Sequence, residues 1–144
     1  MTTTWLSTHG IGAIKDSSST FEISADGGSG LIKPAKSDTS SDTAGWIHFT
    51  VPSPPASHPN LKAVAVDFSS QSATVDRLRV HLGKSQVLEQ HNLQATSSFK
   101  FDIASSSAVY TTKGIAVSVY VDFENVASKL RFQSVAVEVY KIPG

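Results

Sequence analysis

The chain contains no cysteine. Disulfides, thiolate metal sites and a cysteine nucleophile are therefore excluded. It also lacks any excess of charge: 12 Lys and Arg balance 12 Asp and Glu, and the only local basic cluster is Arg77 with Arg79. Proteins that bind nucleic acid carry a basic face, so nucleic acid is not an expected partner. No apolar run approaches the ~20 residues of a membrane helix, and no membrane partner is expected. The opening segment MTTTWLSTHG has neither a basic stretch nor an apolar one. It does not read as a signal peptide, and the expected location is cytoplasmic.

What is present points to strands. The 144 residues fit one domain, 1–144, and a chain of this size buries roughly two-thirds of its unfolded surface. Ser and Thr recur in runs such as SSST, SDTSSDT and SSSAVYTT. Thr and Val suit pleated strands, Ser suits turns, and no segment has helical periodicity. Strand-like runs follow one another between Gly, Pro, Ser and Asn clusters: TTWLST, TFEISA, GLIK, GWIHFTV, LKAVAVDFSS, ATVDRLRVHLG, SQVLEQHNL, SFKFDI, GIAVSVYVDF and KLRFQSVAVEVYKI. PSPP must end the fourth, because proline donates nothing to a ladder. Gly83 and Lys84 read as a hairpin turn. PAKSDTSSDTAG reads as a loop, a candidate lid. The expected fold is all-β: a two-sheet antiparallel β-sandwich, jelly-roll-like, of nine or ten strands.

Side-chain parity sharpens this picture. Ile115, Val117, Val119, Val121 and Phe123 share one face, and so do Leu78, Val80 and Leu82. The last strand changes parity between Leu130/Phe132 and Val135/Val137/Val139, which predicts a β-bulge near Gln133 and Ser134. In GWIHFTV, Ile47, Phe49 and Val51 form a core face, leaving Trp46, His48 and Thr50 on the other. An indole abandoned to solvent wastes a large apolar surface. Either Trp46 is covered, by the PAKSDTSSDT loop or by the N-terminal strand with Trp5, or it lines a site with His48, Tyr120 and Arg79.

The order of these elements resembles a group of small all-β microbial proteins known only as a domain of unknown function. Members read Trp-x-His-Gly, then Trp/Phe-His-Phe/Ile-x-Ile-Pro-Thr-Pro, then a strand ending in an aromatic-Asp-Gly turn, then Gly-x-x-x-Ser-x-x-x-x-Phe. The resemblance falls on Trp5, His9, Gly10, Trp46, His48, Phe49, Pro52, Pro54, Gly83, Gly114, Ser118 and Phe123. This chain departs from the pattern in placing Leu6 and Ser7 between Trp5 and Thr8-His9, and His81-Leu82 where the group has an aromatic and Asp. The resemblance implies an all-β fold and brings no activity with it.

Chemistry-bearing motifs are sparse. Histidines stand at 9, 48, 58, 81 and 91, none in His-x-His or His-x-x-x-His spacing, so no metal and no cofactor are expected. Asp122 and Glu124 share a parity without an oxygen-ligand loop. No Gly-x-Ser-x-Gly elbow marks a hydrolase, and DGGSG lacks the spacing of a phosphate cradle. The candidates are His48 and His9 as catalytic donors, with Trp46, Trp5, Arg79 and Tyr120 as substrate-binding residues. For His9 and the arginines the bland alternatives are a satisfied turn and solvated strand positions.

Three functions follow in rank. First is a small-molecule pocket acting as a cofactor-free cyclase or isomerase (pericyclase-type) on an apolar secondary metabolite, which needs only preorganisation and a few donors. Second is a lectin-like carbohydrate-binding module. Third is a structural role, as a homodimer paired through Val-rich edges such as VAVEVY. A closed apolar cavity would favour the first; a shallow face with an exposed Trp among polar groups would favour the second.

Overall fold

Alternating side chains become strands because each strand presents one face to the core and the other to water. The computed structural model describes residues 3–16, 21–34, 43–103 and 114–141. Its strands are β1 (Thr3–His9), β2 (Ile14–Lys15), β3 (Glu22–Asp26), β4 (Ser29–Lys33), β5 (Ala44–Val51), β6 (Asn60–Gln71), β7 (Ala73–Leu82), β8 (Ser85–Gln90), β9 (Ser97–Asp102), β10 (Ile115–Phe123) and β11 (Lys129–Tyr140). They form two antiparallel sheets. One runs β3-β4-β11-β6-β9, with β1 also on β11; the other runs β2-β5-β10-β7-β8. The expected sandwich is therefore correct. The sequence patterns account for ten of the eleven strands among the described residues, and the addition is β2, whose two residues are too few to show a period. Residues 35–42 of the expected loop lie outside the described residues.

One hydrophobic cluster spans the two sheets. Ile47, Phe49, Val117, Val119, Leu78 and Val80 enter it from the five-stranded sheet, all with no exposed surface. Phe132 answers from the other sheet, its ring 5.3 Å from that of Phe49 and 5.6 Å from that of Phe68. Aromatic pairs at these spacings add ~0.5–1.5 kcal/mol beyond the area they bury.

The bulge expected in the last strand is present: pairing of β11 with β6 slips between Phe132 and Ser134. Leu130 and Phe132 before it, and Val135, Val137 and Val139 after it, consequently all point inward. Beside the bulge, β1 ends on a 3-10 turn, Gly10–Gly12. A Cβ on Gly10 would lie 1.6 Å from the Phe132 carbonyl oxygen, and one on Gly30 2.1 Å from the Gly10 carbonyl oxygen. Three backbones meet there, and only residues without a side chain permit it. Among the described residues no helix is long and apolar enough to cross a membrane.

Candidate functional site

The outer face of the five-stranded sheet is organised in rows across its strands. One row runs Ile14, His48, Ser118, Arg79, Glu89; the next runs Trp46, Tyr120, Arg77. Four of the six residues singled out in the sequence thus converge: Trp46, His48, Tyr120 and Arg79. Directly opposed residues in an antiparallel pair bring their Cβ atoms within ~5.5 Å, so the register alone makes them neighbours.

Aromatic and cationic groups interleave on this face. The Trp46 and Tyr120 rings meet edge-on at 5.3 Å and 72°. The Arg79 guanidinium lies 4.4 Å from the centre of the Trp46 ring, and that of Arg77 4.9 Å from the centre of the Tyr120 ring. A cation over an aromatic face is worth ~0.5–1 kcal/mol where exposed. Arg79 is also held from the far side, its Nε donating to Glu89 Oε1 at 3.2 Å. Gln86 donates to the other carboxylate oxygen at 2.7 Å, and His91 Nε2 lies 3.2 Å from Oε1. The Gln86 hydrogen bond, reinforced by Arg79 and His91 against an opposing desolvation penalty, holds the Glu89 carboxyl below its ordinary range.

His48 is fixed at both ring nitrogens. Nε2 is 2.8 Å from Asp16 Oδ1, and Nδ1 is 2.7 Å from Ser118 Oγ. With Asp16 ionised, Nε2–H donates to the carboxylate and the Ser118 hydroxyl donates to Nδ1. Asp16 reaches this position because β2 pairs with β5, and the Asp16 amide donates to the Trp46 carbonyl at 3.2 Å. The chain Asp16–His48–Ser118 has the partners of a hydrolytic triad. Yet Ser118 is only 5% exposed, whereas the His48 side chain keeps 34% of its surface. The arrangement presents the imidazole and not a nucleophile.

Trp5 and His9 do not join the group. Trp5 is opposed to Glu138 in the other sheet, facing outward on the opposite side of the sandwich, with Lys100 Nζ 5.5 Å over its ring. It cannot cover Trp46, and that expectation is corrected. His9 caps the 3-10 turn, its Nδ1 accepting from the Ile11 amide at 3.0 Å, so the turn reading applies. Sequence reasoning missed Asp16 altogether. Strand parity put Ser118 on the flank of Tyr120, and a resemblance included it, but neither gave it a role. Arg77 was visible as a basic neighbour of Arg79 but not as a ring partner.

Elsewhere, Asp122 and Glu124 line a cleft with the hydroxyls of Ser70, Ser72, Thr74 and Thr96. Among the described residues, no three His, Asp or Glu side chains gather closely enough to share a metal ion.

No protein-family model matches the sequence, and no curated protein matches it. Solved structures do. A low-affinity xylan-binding module, CBM86, from the gut symbiont Roseburia intestinalis superposes with a TM-score of 0.60 at 15% identity, over 94% of this chain and 96% of that one. A family 29 carbohydrate-binding module from Piromyces equi gives 0.53 at 9% identity, over 96% and 91%. The Stig cyclase Fisc from Fischerella sp. TAU gives 0.51 at 10% identity, over 96% and 86%. At these identities the likeness is one of fold: this chain is a β-sandwich of the kind that carbohydrate-binding modules and cyclases share.

Proposed function

We propose that this protein binds a small ligand on the outer face of its five-stranded sheet, and that the ligand is a carbohydrate. The observation that carries the reading is the half-buried Trp46–Tyr120 pair, set on the outer face of the sheet among polar groups: Arg77, Arg79, His48 and Asp16. A sugar ring presents an apolar face of C–H groups and an equatorial fringe of hydroxyls. Aromatic rings match the first; guanidinium, imidazole and carboxylate match the second. The xylan-binding module and the family 29 module, both carbohydrate binders on this fold, support the reading. The test is isothermal titration against a panel of soluble polysaccharides. Binding to at least one, lost at least tenfold in Trp46→Ala with the thermal midpoint retained, is expected. No binding to any of them would end the proposal.

A second reading rests on the held imidazole. Asp16 orients His48 beside the indole, an arrangement able to give and take a proton. It fits a cofactor-free cyclase or isomerase acting on an apolar metabolite, and a cyclase, Fisc, is among the structures of this fold. Such chemistry needs water excluded, and among the described residues the His48 side chain keeps 34% of its surface exposed, which ranks this reading second. Native mass spectrometry of the purified protein separates the two: a retained apolar metabolite favours the cyclase, a retained saccharide the binding module.

A further inference from the structure

We infer that the saccharide this face selects carries a carboxylate, a uronic acid, and that Arg77 receives it. The inference rests on the carbohydrate reading above and deepens it. Two guanidiniums stand on β7 two positions apart, each lying over one ring of the Trp46–Tyr120 pair. Their surroundings differ. Arg79 is half-buried and already pairs with Glu89, which Gln86 and His91 also hold. The Asp16 carboxylate faces His48. Arg77 is exposed, and among the described residues its guanidinium has no carboxylate within ion-pair distance and lies over the Tyr120 ring.

A guanidinium has five N–H donors in a planar fork that suits a carboxylate's two oxygens. Over the half-buried Tyr120 ring the exposed guanidinium keeps that fork free while the ring holds its plane. Tyr120 therefore preorganises Arg77, and the order lost on binding is correspondingly small. A neutral sugar would stack on the rings and leave the fork to water. A uronate would place its ring against Trp46 and Tyr120 and its carboxylate against Arg77, gaining a charge-assisted bidentate bond. Asp76, the chain neighbour of Arg77 where β7 slips against β10, accepts from the Gln94 amide at 3.3 Å, and Asp122, two residues beyond Tyr120 on β10, lines the separate cleft with Glu124; neither forms an ion pair with Arg77.

The experiment compares acidic polysaccharides (glucuronoxylan, polygalacturonate and alginate) with the same polymers after their carboxyls are reduced to alcohols. Titrations use the wild type, Arg77→Gln, Arg77→Lys and Trp46→Ala. At least one acidic polymer is expected to bind tenfold or more tighter than its reduced form. That advantage should vanish in Arg77→Gln, return in part in Arg77→Lys, and shrink as added salt shortens the screening length below the ~8 Å of physiological buffer. Trp46→Ala should weaken acidic and reduced forms alike. Equal binding of acidic and reduced polymers, or an acidic preference that survives Arg77→Gln, overturns the uronate inference. The carbohydrate reading then stands if Trp46→Ala still abolishes binding. No binding to any polymer overturns both.

Discussion

The molecule has two tryptophans, and they sit on opposite outer faces of the same sandwich. Trp5 is on β1, which joins the six-stranded sheet on one side only; it is 43% exposed and has one cation, Lys100, over its ring. Trp46 is on β5, with β2 on one side and β10 on the other. It is half-buried against Tyr120 and Arg79, and its own strand supplies His48. Both are aromatic residues at outward positions. What separates them is how many strands bring them neighbours. An interior strand gives a side chain partners on two sides; an edge strand gives half as many. A binding face is therefore expected where a sheet places aromatics on interior strands, and not wherever a tryptophan is exposed.

Several experiments test this contrast, beginning with the largest effect. The two faces stand on one core, so Phe49→Ala should cost ~3–5 kcal/mol and should move both faces together. Urea unfolding followed by fluorescence in Trp5→Phe and Trp46→Phe backgrounds should report one shared, lowered midpoint. Separate midpoints would show that the sheets do not unfold as a unit. Gly10→Ala should instead divide them. The new methyl would collide with the Phe132 carbonyl where β1 ends, and overpacking of this kind costs ~1–3 kcal/mol. The Trp5 signal should then change at lower urea than the Trp46 signal.

Ligand binding sharpens the contrast from the other direction. Trp46→Ala should lower affinity for the bound saccharide at least tenfold, which is ~1.4 kcal/mol. Trp5→Ala should leave it within twofold. A larger loss in Trp5→Ala would move the site to the six-stranded sheet. Ser118→Ala removes the donor to His48 Nδ1 and should cost ~0.5–1.5 kcal/mol in stability. The smallest effect is at Glu89. Its carboxyl titrates below its ordinary value, so it adds stability above that value and loses it as pH falls through the lowered one. Glu89→Gln should flatten the acid limb of a melting-temperature profile and leave neutral pH nearly unchanged, since exposed ion pairs contribute little.

The legible and illegible parts of the site divide along the same lines. Trp46 with His48, Arg77 with Arg79, and Tyr120 with Ser118 were each readable as sharing a flank, because residues two apart on a strand must. Their convergence was not readable. It needed β5, β10 and β7 to be adjacent with Trp46 opposite Tyr120 and Arg77, and strand order is not written in any one strand. Asp16 was hidden more deeply. It follows a two-residue strand without a pattern, and its role comes from a backbone hydrogen bond to Trp46 and a carboxylate contact with a histidine 32 positions away. Trp5 and His9 were plausible for their residue types, and the sheet assignment of β1 removed them.

The amino-acid sequence alone determined that this chain is all β, which side chains of each long strand face inward, and where the final strand must bulge. Those properties depend on a two-residue period and on local turn chemistry, both carried by neighbours in the chain. Tertiary structure alone decided which outward faces lie side by side, which arginine is already paired, and which tryptophan has company. Those properties depend on pairing between strands tens of residues apart, where hydrophobic burial selects the sheet order and the outward side chains follow it.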